Sequence, residues 1–164
     1  MLSQESLAKI DKEITKYPAE HRRAAVMSAL RIAQDEHGWL SQEAIAFVAD
    51  YLGMPDIAVL EVASFYNMYD LKPVGKYKIT VCTNISCMLR DSASIVEHLE
   101  RKLGVHCGET TADGKFTLRE GECMGSCGGA PLLLINNTDM REFLTPEKVD
   151  AMLAELEPIS GRNE

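Results

Sequence analysis

Long apolar segments are missing from this chain of 164 residues. Its apolar runs are short, such as the one from Pro131 to Ile135, and fall well below the ~18 consecutive apolar residues that a membrane-spanning helix needs. The N-terminus also has no basic segment followed by an apolar run, so the sequence predicts no secretory signal. We therefore expect a cytoplasmic protein that meets a membrane only through a partner.

Positive charge is scarce as well. The chain has 17 Lys and Arg residues against 25 Asp and Glu residues, which gives a formal charge of -8. A protein that neutralises phosphates needs clustered Lys and Arg, so this balance argues against nucleic acid as a partner.

Recognisable catalytic motifs are absent from the sequence, which contains no G-x-G-x-x-G, no P-loop and no G-x-S-x-G. The chain therefore offers no recognisable dinucleotide site and no activated serine. We expect no complete active site in this chain alone, and any electrons that it carries must come from another protein.

Cysteine occurs five times. Without an export signal these thiols should stay reduced, so metal binding or redox chemistry is a better first interpretation than a disulfide framework. The odd number agrees with that view, because four ligands and one bystander is a simpler arrangement than two bridges and a leftover thiol.

The N-terminal half has apolar residues at helical spacing, from Ser3 to about Tyr69. Helix-ending residues divide it into four predicted helices: from Ser3 to Tyr17, from Pro18 to Gly38, from Ser41 to Gly53, and from Pro55 to about Asn67. The last of them contains Ile57, Leu60, Val62 and Phe65. We predict a helical bundle over residues 1–74.

The second half changes to the two-residue period of strands after Gly75. The pattern predicts strand, helix and strand, then two strands and a helix: residues 77–81, 92–104, 116–120, 132–135, 141–144 and 146–156. The third strand is continuously apolar, so we expect it to be internal in the sheet. The fold class is thus α+β, with an α/β domain over residues 75–157 and a tail over 158–164.

Four cysteines fall at the strand ends of this second domain. Cys82 ends the first strand, Cys87 follows in the next loop, and Cys123 and Cys127 lie between the second and third strands. In a β-α-β arrangement the first two strands are parallel, so their carboxyl ends lie at the same edge of the sheet. The topology is therefore expected to bring both pairs together.

The spacing of the pairs bears on what they bind. A 2Fe-2S cluster takes two thiolates on each iron, whereas a structural zinc usually shows two-residue gaps between paired cysteines. The gaps here are four and three residues, which favours a cluster over zinc but leaves both open. Gly125, Gly128 and Gly129 would let backbone N–H groups approach the sulfurs, although they also suit a plain flexible turn.

The remaining cysteine and the histidines are not predicted to be ligands. Cys107 lies outside both pairs and is interpreted as a spare thiol. The four histidines are scattered without ligand spacing, and we expect each to lie on the surface; they are His21, His37, His98 and His106.

Several motifs together resemble a known family. They are the C-x4-C after a strand, E-C-M-G-S-C, the strand entry G-G-A-P-L-L-L-I, and H-G-W-L and A-S-F-Y-N-M-Y in the helical half. The chain is similar in these to the thioredoxin-like 2Fe-2S subunits of NADH:quinone oxidoreductase, respiratory complex I. The resemblance runs from about Ser3 to Leu156.

The resemblance implies a helical bundle followed by a thioredoxin-like 2Fe-2S ferredoxin domain. It implies one 2Fe-2S cluster on Cys82, Cys87, Cys123 and Cys127 and an electron-transfer role within an NADH dehydrogenase. The implied partners are a flavoprotein subunit that binds NADH and FMN, and other peripheral-arm iron-sulfur subunits, on the cytoplasmic side of the inner membrane.

Other assemblies and other classes remain alternatives. Similar subunits occur in NAD-dependent formate dehydrogenases and NAD-linked hydrogenases. A zinc-stabilised interaction module would also use four cysteines. A thiol-disulfide enzyme would explain a thioredoxin-like topology, but such enzymes place a C-x-x-C at a helix start, and this chain has C-x4-C after its first strand.

Two further expectations concern particular residues. Thioredoxin-like folds place a cis-proline before the third core strand, so we predict a cis Ala130–Pro131 bond, although the glycines could turn the chain without it. In the helical half, Trp39, Phe65 and Tyr66 are candidate contacts for the flavoprotein, although core packing of all three is the preferred interpretation.

Overall fold

The computed structural model describes residues 2–156, and the predicted tail lies outside them. Two compact units meet in sequence between Val74 and Gly75. The first is helical and the second combines a four-stranded sheet with helices, which confirms the predicted α+β class. Among residues 2–156, none of the helices has the length and hydrophobicity of a bilayer span.

The helical unit contains four α-helices: α1 (Gln4–Ile14), α2 (Val26–His37), α3 (Gln42–Leu52) and α4 (Asp56–Phe65). Ser3 and Ser41 are the N-caps of α1 and α3, and each side chain accepts a backbone N–H three residues on. Gly38 and Gly53 end α2 and α3 in the left-handed conformation. Buried aliphatic residues form the core of this unit, among them Ile10, Leu30, Leu40, Leu52 and Val59.

The predicted continuous helix from Pro18 to Gly38 is wrong. Residues Ala19–Ala25 form a 3₁₀ helix, and the dihedral angles of His21 are not helical. The His21 N–H donates to the Pro18 carbonyl at 2.8 Å, three residues back, so the first turn closes in the tighter 3₁₀ pattern. The α-helix begins only at Val26.

The second unit has the order β1 (Tyr77–Cys82), α5 (Ile85–Met88), α6 (Ser92–Leu103), β2 (Phe116–Gly121), β3 (Leu133–Ile135), β4 (Asp139–Arg141) and α7 (Pro146–Leu156). The strands are arranged β2-β1-β3-β4, with β1 parallel to β2 and antiparallel to β3. β3 lies between β1 and β4, so its predicted internal position is confirmed. Ile79, Leu118 and Leu133 from the sheet pack with residues of α6 and α7 in one core.

Two elements of this unit differ from the prediction. The four-residue helix α5 was not predicted, because the loop after Cys82 is too short to show a helical period. The fourth strand was predicted over residues 141–144, but it begins at Asp139. Asn136 and Asn137 both have positive φ and form a tight turn, so pairing with β3 resumes almost immediately.

Candidate iron-sulfur site

The first cysteine pair is buried. Cys82 ends β1 and Cys87 lies in α5, and they are 2% and 1% exposed. The Cys82 N–H donates to the Leu132 carbonyl at 3.1 Å, which anchors the end of β1 to the start of β3. Asn84 caps α5, since its Oδ1 accepts the N–H of Ile85 at 3.0 Å. Local hydrogen bonds therefore fix both residues of this pair.

The second pair is exposed. Cys123 and Cys127 follow the end of β2, and their Sγ atoms are 3.4 Å apart. Cys127 begins a short 3₁₀ helix, Cys127–Gly129. Gly125 lies between them at φ +85°, a conformation that glycine adopts without strain.

The environments of Cys87 and Cys123 shift the pKa values of these two thiols in opposite directions. Burial, together with contact with the Cys82 thiol, raises the pKa of Cys87 to about 11, and Cys127 contributes electrostatically. The backbone N–H of Gly125 lowers the pKa of Cys123, and contact with Cys127 adds to this. Cys127 thus contributes to the electrostatics of Cys87, and the parallel strands β1 and β2 end at the same edge of the sheet, as the topology predicted.

The donor set suits a group held by thiolates. Backbone N–H groups of Gly125 and Leu132 point at the sulfurs of Cys123 and Cys87, and such hydrogen bonds stabilise negative charge on sulfur. Within residues 2–156, no three His, Cys, Asp or Glu side chains form a preformed site for a single metal ion. Two cysteine pairs suit a 2Fe-2S cluster, which takes two thiolates on each iron.

A small apolar cluster lines the inner side of the site. Ala130 and Leu132 are buried against Cys82 and Cys87, and Met124 packs there from the loop between Cys123 and Cys127. The Ala130–Pro131 peptide bond is cis, as predicted.

Sequence reasoning missed two carboxylates beside the exposed pair. Glu122 precedes Cys123 and accepts a hydrogen bond from Asn84 Nδ2 at 2.8 Å, which links the two ligand loops. Glu142 accepts a hydrogen bond from the hydroxyl of Ser126, the residue before Cys127. The sequence could have indicated Asn84 as a helix N-cap, because asparagine before a short apolar run is an N-cap signal.

The residues outside the predicted ligand set have other surroundings. Cys107 is half-buried against the core of the second unit, and burial raises its pKa to about 11.

The expectation that every histidine lies on the surface is wrong for His98, which is 8% exposed. Its Nε2 donates to Asp150 at 2.8 Å, and Arg101 donates to its Nδ1 at 3.0 Å. These partners satisfy both ring nitrogens, so burial is favourable.

The candidate docking aromatics of the helical unit are largely outside its core. Phe65 is 80% exposed and Tyr66 is 40% exposed, and their rings meet edge to face at 5.0 Å. Trp39 is half-buried. Ile57 and Leu60 of α4 are also exposed. The core interpretation is therefore wrong for Phe65 and Tyr66.

A family model and several known proteins match the chain. The model for the thioredoxin-like [2Fe-2S] ferredoxin matches residues 10–157. One subunit of the NADH-quinone oxidoreductase from Rickettsia conorii is 48% identical over 145 residues, which are 88% of this chain and 86% of that protein. Subunit 2 of the NADH-quinone oxidoreductase from Thermus thermophilus is 40% identical over 147 residues, covering 90% of this chain and 81% of that protein.

Among solved structures, a chain of an NAD⁺-reducing [NiFe]-hydrogenase in the air-oxidised state superposes with a TM-score of 0.68 at 22% identity. The match covers 80% of this chain but only 23% of the hydrogenase chain. At this identity the likeness concerns the fold alone.

Proposed function

The chain belongs to the thioredoxin-like [2Fe-2S] ferredoxin family, and from this premise we propose that it is the electron-transfer subunit of an NADH:quinone oxidoreductase. One 2Fe-2S cluster would be held by Cys82, Cys87, Cys123 and Cys127. The observation that supports the proposal is that a buried cysteine pair begins at the end of β1 and an exposed cysteine pair follows the end of β2, and these parallel strands end at one edge of the sheet.

The two pairs suit different tasks. When bound, the cluster supplies a centre that accepts and donates one electron. Cys82 and Cys87 fix the inner side of the site, because both are buried and held by the end of β1 and by α5. Cys123 and Cys127 leave the outer side open to a partner.

The proposed partner is a flavoprotein subunit that binds NADH and FMN, within a complex that also contains other peripheral-arm iron-sulfur subunits. We place this complex on the cytoplasmic side of the inner membrane. The names of the relatives support the assembly. Within the chain, residues 75–157 would carry the cluster, and residues 1–74 would dock through the exposed apolar side of α4.

A related NAD-dependent formate dehydrogenase or NAD-linked hydrogenase is the alternative assembly. The hydrogenase likeness concerns the fold alone, whereas identities of 48% and 40% over most of the chain link it to quinone oxidoreductase subunits. We therefore favour the quinone oxidoreductase.

Anaerobic purification of the full chain tests the cluster. We expect a reddish-brown protein with two irons and two acid-labile sulfides per chain, and an electron paramagnetic resonance signal after one-electron reduction. A colourless protein with stoichiometric zinc would instead support the zinc-stabilised module and overturn the proposal.

Co-purification with the flavoprotein subunit tests the docking role. Phe65→Ser with Tyr66→Ser should reduce recovery of the flavoprotein while the cluster content stays unchanged. Tyr17→Ser is the matched control, because Tyr17 is an exposed aromatic residue of the same unit. Undiminished recovery with the double variant would show that this surface is not the docking element.

A further inference from the structure

The two ligand loops are joined by a side-chain hydrogen bond. Asn84 lies between Cys82 and Cys87, and Glu122 directly precedes Cys123. Asn84 Nδ2 donates to Glu122 Oε2 at 2.8 Å across 38 positions of sequence. Next to this bond, the Thr83 N–H donates to the Gly121 carbonyl at 3.1 Å and extends the β1–β2 pairing by one residue.

Asn84 uses both ends of its amide. Its Oδ1 caps the helix that carries Cys87, through the N–H of Ile85 at 3.0 Å. Its Nδ2 holds the carboxylate next to Cys123. A single planar side chain therefore connects the helix that carries Cys87 with the residue next to Cys123.

We propose that Asn84 is a positioning residue, which holds the Cys87 helix and the Cys123 segment in register through Glu122 so that the four thiolates retain their cluster. This inference rests on the proposed ligand set. Backbone pairing of the two segments ends at Thr83, so beyond it the Asn84–Glu122 bond holds the segment after Gly121 to α5 together with the packing of Met124. Loosened ligands release iron faster, since supporting hydrogen bonds orient the groups that bind a metal.

Substitutions that exchange the hydrogen-bond donor Asn84 and the acceptor Glu122 test this proposal. Asn84→Asp keeps an N-cap of equal quality but puts a carboxylate opposite Glu122. Glu122→Gln alone keeps an acceptor for Asn84. The combined Asn84→Asp/Glu122→Gln variant restores the hydrogen bond with its direction reversed, because the new amide donates to the new carboxylate.

The measurement is the rate at which the full, cluster-loaded chain loses its visible absorption to an excess of iron chelator. We expect Asn84→Asp to lose the cluster about fivefold to tenfold faster, as for the loss of an ordinary hydrogen bond, because the Glu122 carboxylate is exposed to solvent. Glu122→Gln and the combined variant should stay within about twofold of the wild type. The charge-matched control, Asn84→Asp/Glu97→Gln, should be as fast as Asn84→Asp, because Glu97 is an exposed residue of α6.

The outcomes separate the possible failures. A wild-type chain that binds no cluster overturns the proposed function together with this inference. A loaded wild type with an equally stable Asn84→Asp variant overturns the inference alone. If Asn84→Asp loses its cluster quickly and Glu122→Gln does not restore the slow rate, the effect comes from the helix cap and the inference is overturned. If Glu97→Gln restores the slow rate as well as Glu122→Gln does, the effect comes from net charge and the inference is also overturned.

Discussion

Cys82 and Gly121 are register partners at the carboxyl ends of the parallel strands β1 and β2. The chain leaves the sheet at the same level on both strands, so Cys87 and Cys123 follow within a few residues of one edge. A shift of one residue in this register would turn Cys82 to the other face of the sheet. The strand pairing therefore puts Cys82 and the start of the segment that carries Cys123 at one edge of the sheet.

The first prediction concerns the four proposed ligands. Replacing Cys82, Cys87, Cys123 or Cys127 by serine should prevent normal cluster assembly, because each thiolate supplies one of four iron bonds. Cys107→Ser is the matched control and should bind as much iron and acid-labile sulfide per chain as the wild type. Loss of the cluster from the Cys107 variant, with full retention in one of the others, would contradict the assignment.

Local signals in the sequence predicted much of the fold. Ser41 and Gly53 bound α3 as expected, and the apolar run of β3 correctly indicated an internal strand. The errors occur where a few hydrogen bonds outweigh the pattern. The hydrogen bond from the His21 N–H to the Pro18 carbonyl holds His21 in a 3₁₀ turn. The positive φ values of Asn136 and Asn137 form a tight turn, so β4 begins earlier than predicted.

The candidate site was predictable to a different extent. Cysteine spacing and strand order were sufficient to propose four ligands, because the spacing is read directly from the sequence and the strand order is predicted from its periodicity. The Asn84–Glu122 bond depends on three-dimensional register over 38 positions, which no local pattern encodes. The burial of His98 was missed for the same reason, since its partner Asp150 lies on another helix.

The second prediction compares two adjacent glycines. A Cβ on Gly129 would meet the Glu142 side chain, with its Cδ at 2.5 Å and its Cβ at 2.9 Å, whereas a Cβ on Gly128 would meet nothing within 4 Å. The Phe143 N–H donates to the Gly129 carbonyl at 2.6 Å, so the Glu142 segment cannot withdraw easily. Gly129→Ala should lower the free energy of unfolding of the cluster-free chain by about 1–3 kcal/mol.

Gly128→Ala is the control for this prediction and should unfold within about 0.5 kcal/mol of the wild type. Urea denaturation followed by circular dichroism measures both. Equal stabilities of the two variants would show that Glu142 does not constrain the loop.

The third prediction concerns pH. Asp150 accepts hydrogen bonds from His98 and Lys102, and these lower its pKa from the ordinary value of 3.8. A carboxylate with a lowered folded-state pKa stabilises the fold above its unfolded pKa, and this contribution is lost as the pH falls through the folded pKa. Asp150→Asn should therefore be less stable than the wild type at pH 7, and the difference should shrink below about pH 4.

Urea unfolding of the cluster-free chain at pH 7, 5, 4 and 3 tests this dependence. A stability difference that stays constant over the whole series would mean that the Asp150 side chain acts by packing rather than by charge.

The last prediction concerns the reduction potential. Glu142 accepts a hydrogen bond from Ser126, beside the proposed ligand Cys127, so its carboxylate places negative charge next to the exposed pair. One-electron reduction adds further negative charge, which this carboxylate opposes. Glu142→Gln keeps an acceptor for Ser126 but removes the charge, so reduction should become easier and the midpoint potential should rise. Because Glu142 is exposed and screened by solvent, we expect a rise on the order of tens of millivolts.

A redox titration of the loaded full chain, followed by electron paramagnetic resonance, measures this shift. Glu97→Gln removes the same charge from the exposed side of α6 and serves as the control. A smaller rise in that control would assign the effect to the position of Glu142, because Coulomb interactions weaken with distance and with salt. If the two variants shift the potential equally, or if Glu142→Gln lowers it, the carboxylate at Ser126 is not a local determinant of the potential.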